Sequence, residues 1–397
     1  MIDKDTLEAR ISSLIAEQGS WGWSDNMEDG IRDEVRCISF AKYMEMCLYD
    51  ENCGYYRSGD VRVGRGGDFY TSAYIGSVMA HCLASAIDKH SGELGRTPAV
   101  AEWGAGTGRL SRQLLDVWSN RPADARPTEL TIIEDHPRHR EEIRSACALA
   151  AEAVLRKPLQ LLRSDEAMEG NMKERFGLAA EEPLFIIANE LVDAMPVHRV
   201  MRLNDTIVEL GVAGNAEAGF RYVYMKPSDD RLAMTLELDG TCLLEGQVTE
   251  IALAAVDWLE ELGKRIAGHC RLILIDYGHE ADEYASPHRM NGTLLCYSGH
   301  MASDSPFERP GSQDLTAHVP FTALRRAAEE SGWETVYYDT QKQFLIDNGA
   351  LELLQNDDSF NPFSETAKRN RAVRQLLLSD GMSESFKVLV LAKHDNP

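Results

Sequence analysis

Three glycines stand at alternate positions after an acidic residue, a spacing typical of a nucleotide-binding turn. Glu102 ends a short apolar stretch, and Gly104, Gly106 and Gly108 follow it. Glycine permits the positive φ angles and the close backbone approach that a bound nucleotide needs. Apolar residues then recur at helical spacing over residues 110–118, so the turn leads into a helix whose first N–H groups are free. The alternative is an ordinary tight turn between a strand and a helix.

The residue after the third glycine distinguishes two kinds of nucleotide turn. A dinucleotide fold requires glycine or alanine at the last position of its G-x-G-x-x-G pattern. This chain has Arg109 there, so its spacing is G-x-G-x-G, with an acid two residues before the first glycine. That pattern resembles the first motif of class I S-adenosylmethionine-dependent methyltransferases. The resemblance implies S-adenosyl-L-methionine as the cofactor that donates the methyl group.

Three further acids could bind a nucleoside that carries a charged amino-acid tail. Glu134 closes the second predicted strand and could accept hydrogen bonds from both ribose hydroxyls; we favour it over its neighbour Asp135. Asp165 follows the third predicted strand and could accept a hydrogen bond from the adenine amino group. Glu102 could bind the ammonium group of the donor, directly or through water. For Glu134, the structural alternative is an acid at the start of a helix.

Three polar side chains follow the fourth predicted strand and are our candidates for catalytic residues. Asn189 can orient a methyl acceptor through its amide, and Glu190 and Asp193 can hold and polarise a cationic acceptor. Methyl transfer from a sulfonium is an in-line displacement, so the protein must align the two reactants and handle the acceptor's proton. The alternative is that these acids cap the N-terminus of a helix.

Short apolar strands alternate with helices after residue 99, which predicts an α/β fold with a mostly parallel sheet covered on both faces. Residues 1–98 should form an N-terminal helical region with a lid loop, and residues 99–397 the core. Three insertions should emerge at the carboxyl ends of strands, where ligands bind in open α/β sheets, and build a cap. They cover about residues 197–248, 278–319 and 340–384. The seven predicted strands cover residues 100–102, 130–134, 159–162, 184–188, 272–276, 335–339 and 386–392.

Local patterns give more detailed predictions inside this outline. Residues 19–36 are polar and dotted with glycine, so we expect a loop or flexible arm. The first insertion alternates aromatic and polar residues and should be a small antiparallel meander with a turn at Asn204 and Asp205. Residues 249–266 show helical spacing.

Composition excludes several classes of partner. The formal charge of −23 argues against nucleic-acid binding; an acidic surface suits a cationic partner or simply keeps the protein in solution. The eight cysteines form no C-x-x-C pair, which indicates reduced thiols and a cytoplasmic protein. The N-terminus lacks the pattern of a signal peptide, and the apolar runs are too short to cross a membrane. We find no metal-binding motif among the eleven histidines, and this chemistry requires no metal.

Nine segments, taken in order, resemble the MidA family of class I methyltransferases, and the likeness covers roughly residues 36–395. The family fold is Rossmann-like, with a seven-stranded sheet whose seventh strand is antiparallel. Its mitochondrial members are arginine methyltransferases that assist the assembly of respiratory complex I. The segments are 38–44 (ISFAKYM), 54–56 (GYY), 67–72 (GDFYTS), 102–108 (EWGAGTG), 189–197 (NELVDAMPV), 274–278 (LIDYG), 292–297 (GTLLCY), 310–319 (PGSQDLTAHV) and 386–389 (FKVL).

The resemblance implies a donor pocket that includes Asp68 and Thr71, and a protein arginine as the methyl acceptor. The chain departs from the family pattern at Ala105, Ala73 and Pro320, where the family usually has proline, proline and aspartate. Three functions therefore stay open: a protein arginine methyltransferase, a methyltransferase for a small-molecule O, N or C acceptor, and a non-catalytic donor-binding assembly factor. The partner is accordingly a protein or small-molecule acceptor, with a homodimer as a further expectation.

Overall fold

A computed structural model of the chain describes residues 6–25, 32–57, 77–299, 301–356, 361, 363–378 and 385–394. None of the helices in these ranges is both long and apolar enough to cross a membrane. Contacts between Cα atoms divide the chain into two units. The first unit comprises Met1–Gly59, Val192–Trp258 and His279–Arg326, and the second comprises Asp60–Leu191, Leu259–Gly278 and Ala327–Pro397. We call them the cap unit and the sheet unit.

The strands are numbered in chain order. They are β1 (Ser20–Asp25), β2 (Arg32–Ser39), β3 (Ala99–Trp103), β4 (Leu130–Ile133), β5 (Gln160–Leu162), β6 (Leu184–Asn189), β7 (His198–Leu203), β8 (Thr206–Asn215), β9 (Gly219–Met225), β10 (Val248–Ile251), β11 (Cys270–His279), β12 (Leu295–Ser298), β13 (Met301–Ser303), β14 (Asp314–Thr316), β15 (Val319–Pro320), β16 (Glu334–Thr340) and β17 (Phe386–Lys393).

The helices are numbered in the same way. They are α1 (Leu7–Gln18), α2 (Phe40–Tyr49), α3 (Val78–Leu94), α4 (Arg109–Ser119), α5 (Pro137–Val154), α6 (Ser164–Ala167), α7 (Met172–Arg175), α8 (Arg231–Leu238), α9 (Leu253–Arg265), α10 (Ala281–Tyr284), α11 (Phe321–Glu330), α12 (Gln341–Asp347) and α13 (Glu365–Leu378).

The sheet unit is built on a mixed sheet in which the strands follow the order β16-β17-β11-β6-β3-β4-β5. Strand β6 runs parallel to β3 and to β11, β4 runs parallel to β3 and to β5, and β17 runs antiparallel to both of its neighbours. Strands β3 and β4 are buried along their whole length, as expected for parallel strands covered on both faces. The α/β fold with a mixed sheet is therefore confirmed.

One apolar core holds the helices of the sheet unit against this sheet. Val100, Ile132 and Ile187 of the central strands share this core with side chains from α3, α4 and α5. Helices α12 and α13 contribute to the same core. Residues 340–384 thus belong to the sheet unit, whereas we expected them to join the cap. The reason is that their apolar positions, such as Phe344 and Val373, complete the core beside β17.

The cap unit is mainly antiparallel. Strands β8, β2, β1 and β9 pair in a closed ring, and β7 and β10 extend the sheet from β8. A Cβ atom at Gly22 would lie 2.6 Å from the Tyr224 carbonyl oxygen, so the narrow ring closes only with glycine at that position. The predicted meander is present, and Asn204 and Asp205 have φ angles of 50° and 60° in the β7–β8 hairpin. Both values suit a type I′ turn.

Two predicted segments differ from the observed structure. Residues 20–25 and 32–39 form β1 and β2, where we predicted a loop or arm. Charged residues occupy the outward positions of β2, and they concealed the alternation that buries Cys37 in the ring. Residues 248–251 form β10, which pairs with β7, and the predicted helix begins only at Leu253.

Candidate functional site

The glycine turn lies in the sheet unit, between β3 and α4, and each glycine has a different reason to be there. Gly104, Gly106 and Gly108 have φ angles of +70°, +55° and +75°. A Cβ atom on Gly104 would lie 2.8 Å from Leu191 Cδ1, and one on Gly108 would lie 2.7 Å from Ile143 Cγ1. A Cβ atom on Gly106 would meet no described atom within 4 Å. Among the described residues, Gly106 therefore borders space in which a ligand can approach the backbone.

Glu134 lies directly against this turn. Its Oε2 accepts a hydrogen bond from the Gly106 N–H at 2.7 Å, and its Oε1 accepts one from the His136 N–H at 2.8 Å. The residue is only 9% exposed. The structure thus brings the acid predicted to bind the ribose together with the glycine that borders open space. Contact with a ribose itself stays a prediction.

Glu102 is buried at the end of β3, and its carboxylate accepts a hydrogen bond from the Ser111 hydroxyl in the first turn of α4. Burial raises the pKa of Glu102 to about 7; the charge of Glu134 contributes to the rise, and the hydrogen bonds from Ser111 oppose it. In the structure the side chain therefore holds the start of α4. Its predicted contact with the donor's ammonium group stays a prediction.

Of the remaining predicted donor residues, Asp165 is exposed and the other two lie outside the described residues. Asp165 has a side chain that is 61% exposed in α6. Its pKa is lowered, chiefly by a hydrogen bond from Arg163. Asp135, the alternative to Glu134, accepts a hydrogen bond from the Ser164 N–H at 2.8 Å and so joins the end of β4 to α6. Asp68 and Thr71 lie outside the described residues.

Asn189 ends β6 in the sheet unit, and Glu190 follows it, beside the glycine turn. Glu190 has a φ angle of 53°, a left-handed conformation that a residue with a Cβ atom adopts at a cost of about 1–2 kcal/mol. Its N–H donates to the Ile275 carbonyl at 2.8 Å, and its Oε1 accepts a hydrogen bond from the Asn189 amide at 3.2 Å. The next residue, Leu191, is the one that closes on Gly104. The fold thus maintains a strained acidic residue next to the turn.

Asp193, the third candidate catalytic residue, belongs to the cap unit. It is buried, and its carbonyl oxygen accepts a hydrogen bond from the Ala317 N–H at 3.0 Å. In the same unit, Asp314 Oδ1 accepts a hydrogen bond from the Tyr56 hydroxyl at 2.8 Å, and Asp314 pairs with Tyr297 across β14 and β12. We call Tyr56, Asp193, Tyr297 and Asp314 the acidic–tyrosine cluster.

The charges of the two aspartates act on both tyrosines of this cluster. Burial raises the pKa of Tyr56 well above its usual value, and the charges of Asp314 and Asp193 raise it further. The pKa of Tyr297 is raised by burial first, and then by the same two carboxylates. Asp193 and Asp314 are therefore close enough to both tyrosines for their charges to act on the two hydroxyl groups.

Sequence reasoning selected Asp193 but missed Tyr56, Tyr297 and Asp314. All three missed residues lie inside segments that carried the family resemblance, namely 54–56, 292–297 and 310–319. Their membership in those segments was the available signal. The contact between them depends on the β12–β14 register and on the end of α2, which the spacing of residues does not reveal. The described residues contain no group of three or more His, Cys, Asp or Glu side chains arranged for a metal ion.

Known proteins of similar sequence and fold are methyltransferases. Residues 80–339 match the model of a family of S-adenosyl-L-methionine-dependent methyltransferases. A Burkholderia thailandensis protein solved with S-adenosyl-homocysteine bound has a TM-score of 0.79 and 28% identity, and the match covers 98% of this chain and 92% of that one. The mitochondrial protein arginine methyltransferase NDUFAF7 of Danio rerio is 26% identical over 364 residues, 88% of this chain and 82% of its own. The Drosophila melanogaster homologue is 27% identical over 311 residues, 74% of this chain and 67% of its own.

The fold and the site therefore define a class I S-adenosylmethionine-dependent methyltransferase. The chain belongs to the MidA-like family of these enzymes, as the sequence segments predicted. The residues of the sheet unit fit the donor. Gly106 leaves open space beside the backbone, and the carboxylate of Glu134 stands at the edge of that space.

Proposed function

We propose that this enzyme methylates an arginine nitrogen of a protein. The observation that carries the proposal is the position of Glu190, a carboxylate held in a strained backbone conformation beside the glycine turn that we propose binds the donor. Strain of this kind persists where the surrounding structure enforces it, and it is concentrated at functional sites. The names of the curated relatives, which are protein arginine methyltransferases, support the same acceptor.

A carboxylate suits this acceptor because of how a guanidinium behaves. Arginine stays protonated in water, and its planar N–H groups match the two oxygens of a carboxylate. When bound, S-adenosylmethionine supplies a methyl group on a positively charged sulfur. Glu190 would orient the reacting nitrogen and accept the proton that this nitrogen loses. The hydrogen bond from Asn189 fixes the carboxylate for that task.

Asp193 is the second carboxylate of the proposal. It follows Glu190 by three residues in the sequence. We assign it to holding the acceptor rather than to taking its proton, because it shares its surroundings with a second aspartate and two tyrosines.

The finer features of the protein follow from the same proposal. We propose that the order β16-β17-β11-β6-β3-β4-β5, with β17 antiparallel, is the seven-stranded sheet of the class I fold. Asp165, Asp68 and Thr71 remain proposed donor contacts. A homodimer and a cytoplasmic location are proposals as well.

The test is a transfer assay with tritium-labelled S-adenosylmethionine and a cell extract, followed by acid hydrolysis and chromatography of the protein fraction. We expect label in methylated arginine. Glu190→Gln should reduce that label by about 10²–10⁴-fold, the range for loss of a general base. Glu174→Gln, at an exposed position of the sheet unit, is the matched control and should leave the label unchanged.

Three results would contradict the proposal. Label confined to the metabolite fraction would indicate a small-molecule acceptor, and no label with intact donor binding would indicate an assembly factor. Full activity in Glu190→Gln would remove Glu190 from the mechanism.

A further inference from the structure

The acidic–tyrosine cluster joins four segments of the cap unit that are separate in sequence. Tyr56 follows α2, Tyr297 lies on β12, and Asp314 begins β14. The pairing of Tyr297 with Asp314 places their side chains on one face of the small sheet, because directly opposed residues of antiparallel strands point the same way. The hydrogen bond from Ala317 to the Asp193 carbonyl brings Asp193 to the end of β14. Strand pairing and a backbone hydrogen bond therefore fix the positions of these residues.

An independent feature of β14 indicates a ligand. Thr316 is only 4% exposed, and among the described residues its hydroxyl oxygen has no hydrogen-bond partner. A buried hydroxyl without a partner is energetically unfavourable, because it has lost its hydrogen bonds to water. Thr316 stands two residues after Asp314, so strand alternation directs its side chain to the same face. The hydroxyl therefore faces the side of the sheet on which the cluster lies.

One tyrosine of the cluster packs against a residue that lines a groove of the cap unit. The ring of Tyr56 stacks on that of Tyr49, with the ring centroids 5.8 Å apart. Tyr49 is one wall of a groove of about 510 Å³, whose other walls include Lys42, Glu45 and Pro196. An open groove with both charges suits an extended polypeptide better than a small molecule, which usually binds in a largely enclosed pocket.

We propose that Asp314, together with Asp193 and Thr316, binds the guanidinium group of the acceptor arginine. This inference rests on the proposed function and names cap-unit residues that would recognise the cation. A guanidinium presents five donors in a planar fork, so it can engage two carboxylates and a hydroxyl together. A lysine ammonium has three donors at one point and cannot span the same set. The site should therefore select arginine over lysine.

The test uses calorimetric titration of the full chain with the tripeptide Gly-Arg-Gly, blocked at both ends. The same peptide with citrulline, which keeps the shape and lacks the charge, and the same peptide with lysine are the comparison ligands. We expect Gly-Arg-Gly to bind at least tenfold more tightly than either. Asp314→Asn, which can still accept the Tyr56 hydroxyl, should reduce its affinity at least tenfold, and Thr316→Val about threefold.

Two controls separate a lost site from a damaged fold. Asp304→Asn removes one negative charge from an exposed position of the same unit and should leave peptide affinity unchanged. S-adenosyl-homocysteine should bind Asp314→Asn as it binds the wild type, because the donor turn lies in the sheet unit. Equal affinity for the arginine and citrulline peptides would overturn the inference, and so would unchanged binding in Asp314→Asn or an absence of peptide binding by the wild type.

Failure of the inference is distinguishable from failure of the proposed function. If peptide binding required both arginine and Asp314 but no label appeared in methylarginine, the cation site would be supported and the proposed methyl transfer would be rejected. If the wild type produced labelled methylarginine and Asp314→Asn showed unchanged transfer and peptide binding, the cation site would be rejected and the proposed methyl transfer supported.

Discussion

The glycine turn of the sheet unit and the acidic–tyrosine cluster of the cap unit are built in opposite ways. The turn is local: Gly104, Gly106 and Gly108 follow one strand, and the proposed donor surface is the backbone itself. The cluster is non-local, since it brings residues of four separate segments together through strand pairing and hydrogen bonds. The turn can therefore be recognised from spacing alone, whereas the cluster requires the folded structure. Donor binding and acceptor binding should accordingly respond to different substitutions.

The largest expected effect is at Gly106. Gly106→Val introduces a branched side chain at a φ angle of +55° and fills the space beside the turn. We expect S-adenosyl-homocysteine affinity to fall at least 100-fold in calorimetry. Gly170→Val is the matched control, because Gly170 also has a positive φ angle, +65°, with no described atom within 4 Å of an added Cβ. If both variants lost affinity for S-adenosyl-homocysteine, the cause would be backbone strain and not a blocked donor site.

The buried carboxylate of Glu102 predicts a pH effect on the sheet unit. Its pKa is about 7 in the folded chain, mainly through burial, against 4.5 for the ordinary group. The folded state then binds more protons than the unfolded state between pH 4.5 and 7, so this residue's contribution to stability falls as the pH rises through that window. The full loss is about 3 kcal/mol.

Urea unfolding at pH 5 and pH 8 measures this contribution. From pH 5 to pH 8, the wild type should lose up to about 3 kcal/mol of unfolding free energy more than Glu102→Gln. Glu152→Gln, at an exposed position on α5, should follow the wild type at both pH values. An identical pH dependence in wild type and Glu102→Gln would contradict the explanation.

Two carboxylates that we propose contact the donor should contribute unequally to its binding. Glu134 is buried and accepts the Gly106 N–H, so Glu134→Gln should weaken S-adenosyl-homocysteine binding about tenfold or more, as expected for a charged hydrogen bond worth about 1.5–3 kcal/mol. Asp165 is exposed and paired with Arg163, so Asp165→Asn should change affinity by no more than about threefold. If Asp165→Asn lost more affinity than Glu134→Gln, this ranking would be wrong, and Asp165 would be a direct contact of the donor.

The smallest effect tests the strain at Glu190. At ordinary positions glycine is less stable than alanine by about 0.5–1 kcal/mol. At a left-handed position the order reverses, because alanine carries a Cβ atom that is disfavoured there by about 1–2 kcal/mol. Glu190→Gly should therefore unfold at higher urea concentration than Glu190→Ala. Glu174→Gly and Glu174→Ala, in helix α7, should show the opposite order. The same order at both sites would remove the evidence for strain.

Much of the sheet unit could be predicted from sequence, because its signals are continuous along the chain. Apolar runs located the strands to within a few residues, and the glycine spacing located the turn. The backbone strain at Glu190 could not be predicted, because it depends on contacts between separate parts of the chain. The Glu190 N–H donates to the Ile275 carbonyl, and the next residue, Leu191, packs against Gly104.

The cap unit was harder to predict, because its short strands pair with distant partners. Charged outward residues concealed β1 and β2, and helical spacing concealed β10. Asp314 and Tyr56 were within recognised segments. Only the folded structure shows that the Tyr56 hydroxyl donates a hydrogen bond to the Asp314 carboxylate. The β7–β8 turn was predictable, since Asn204 and Asp205 both tolerate the left-handed conformation that a type I′ turn requires.

The most direct test of two separate sites is to titrate the same two variants with the same two ligands. S-adenosyl-homocysteine and the blocked Gly-Arg-Gly peptide would each be titrated, in the absence of the other, into Gly106→Val and Asp314→Asn. We predict that Gly106→Val loses at least 100-fold in donor affinity and keeps peptide affinity, and that Asp314→Asn loses at least tenfold in peptide affinity and keeps donor affinity. Equal losses of both ligands in either variant would contradict the account.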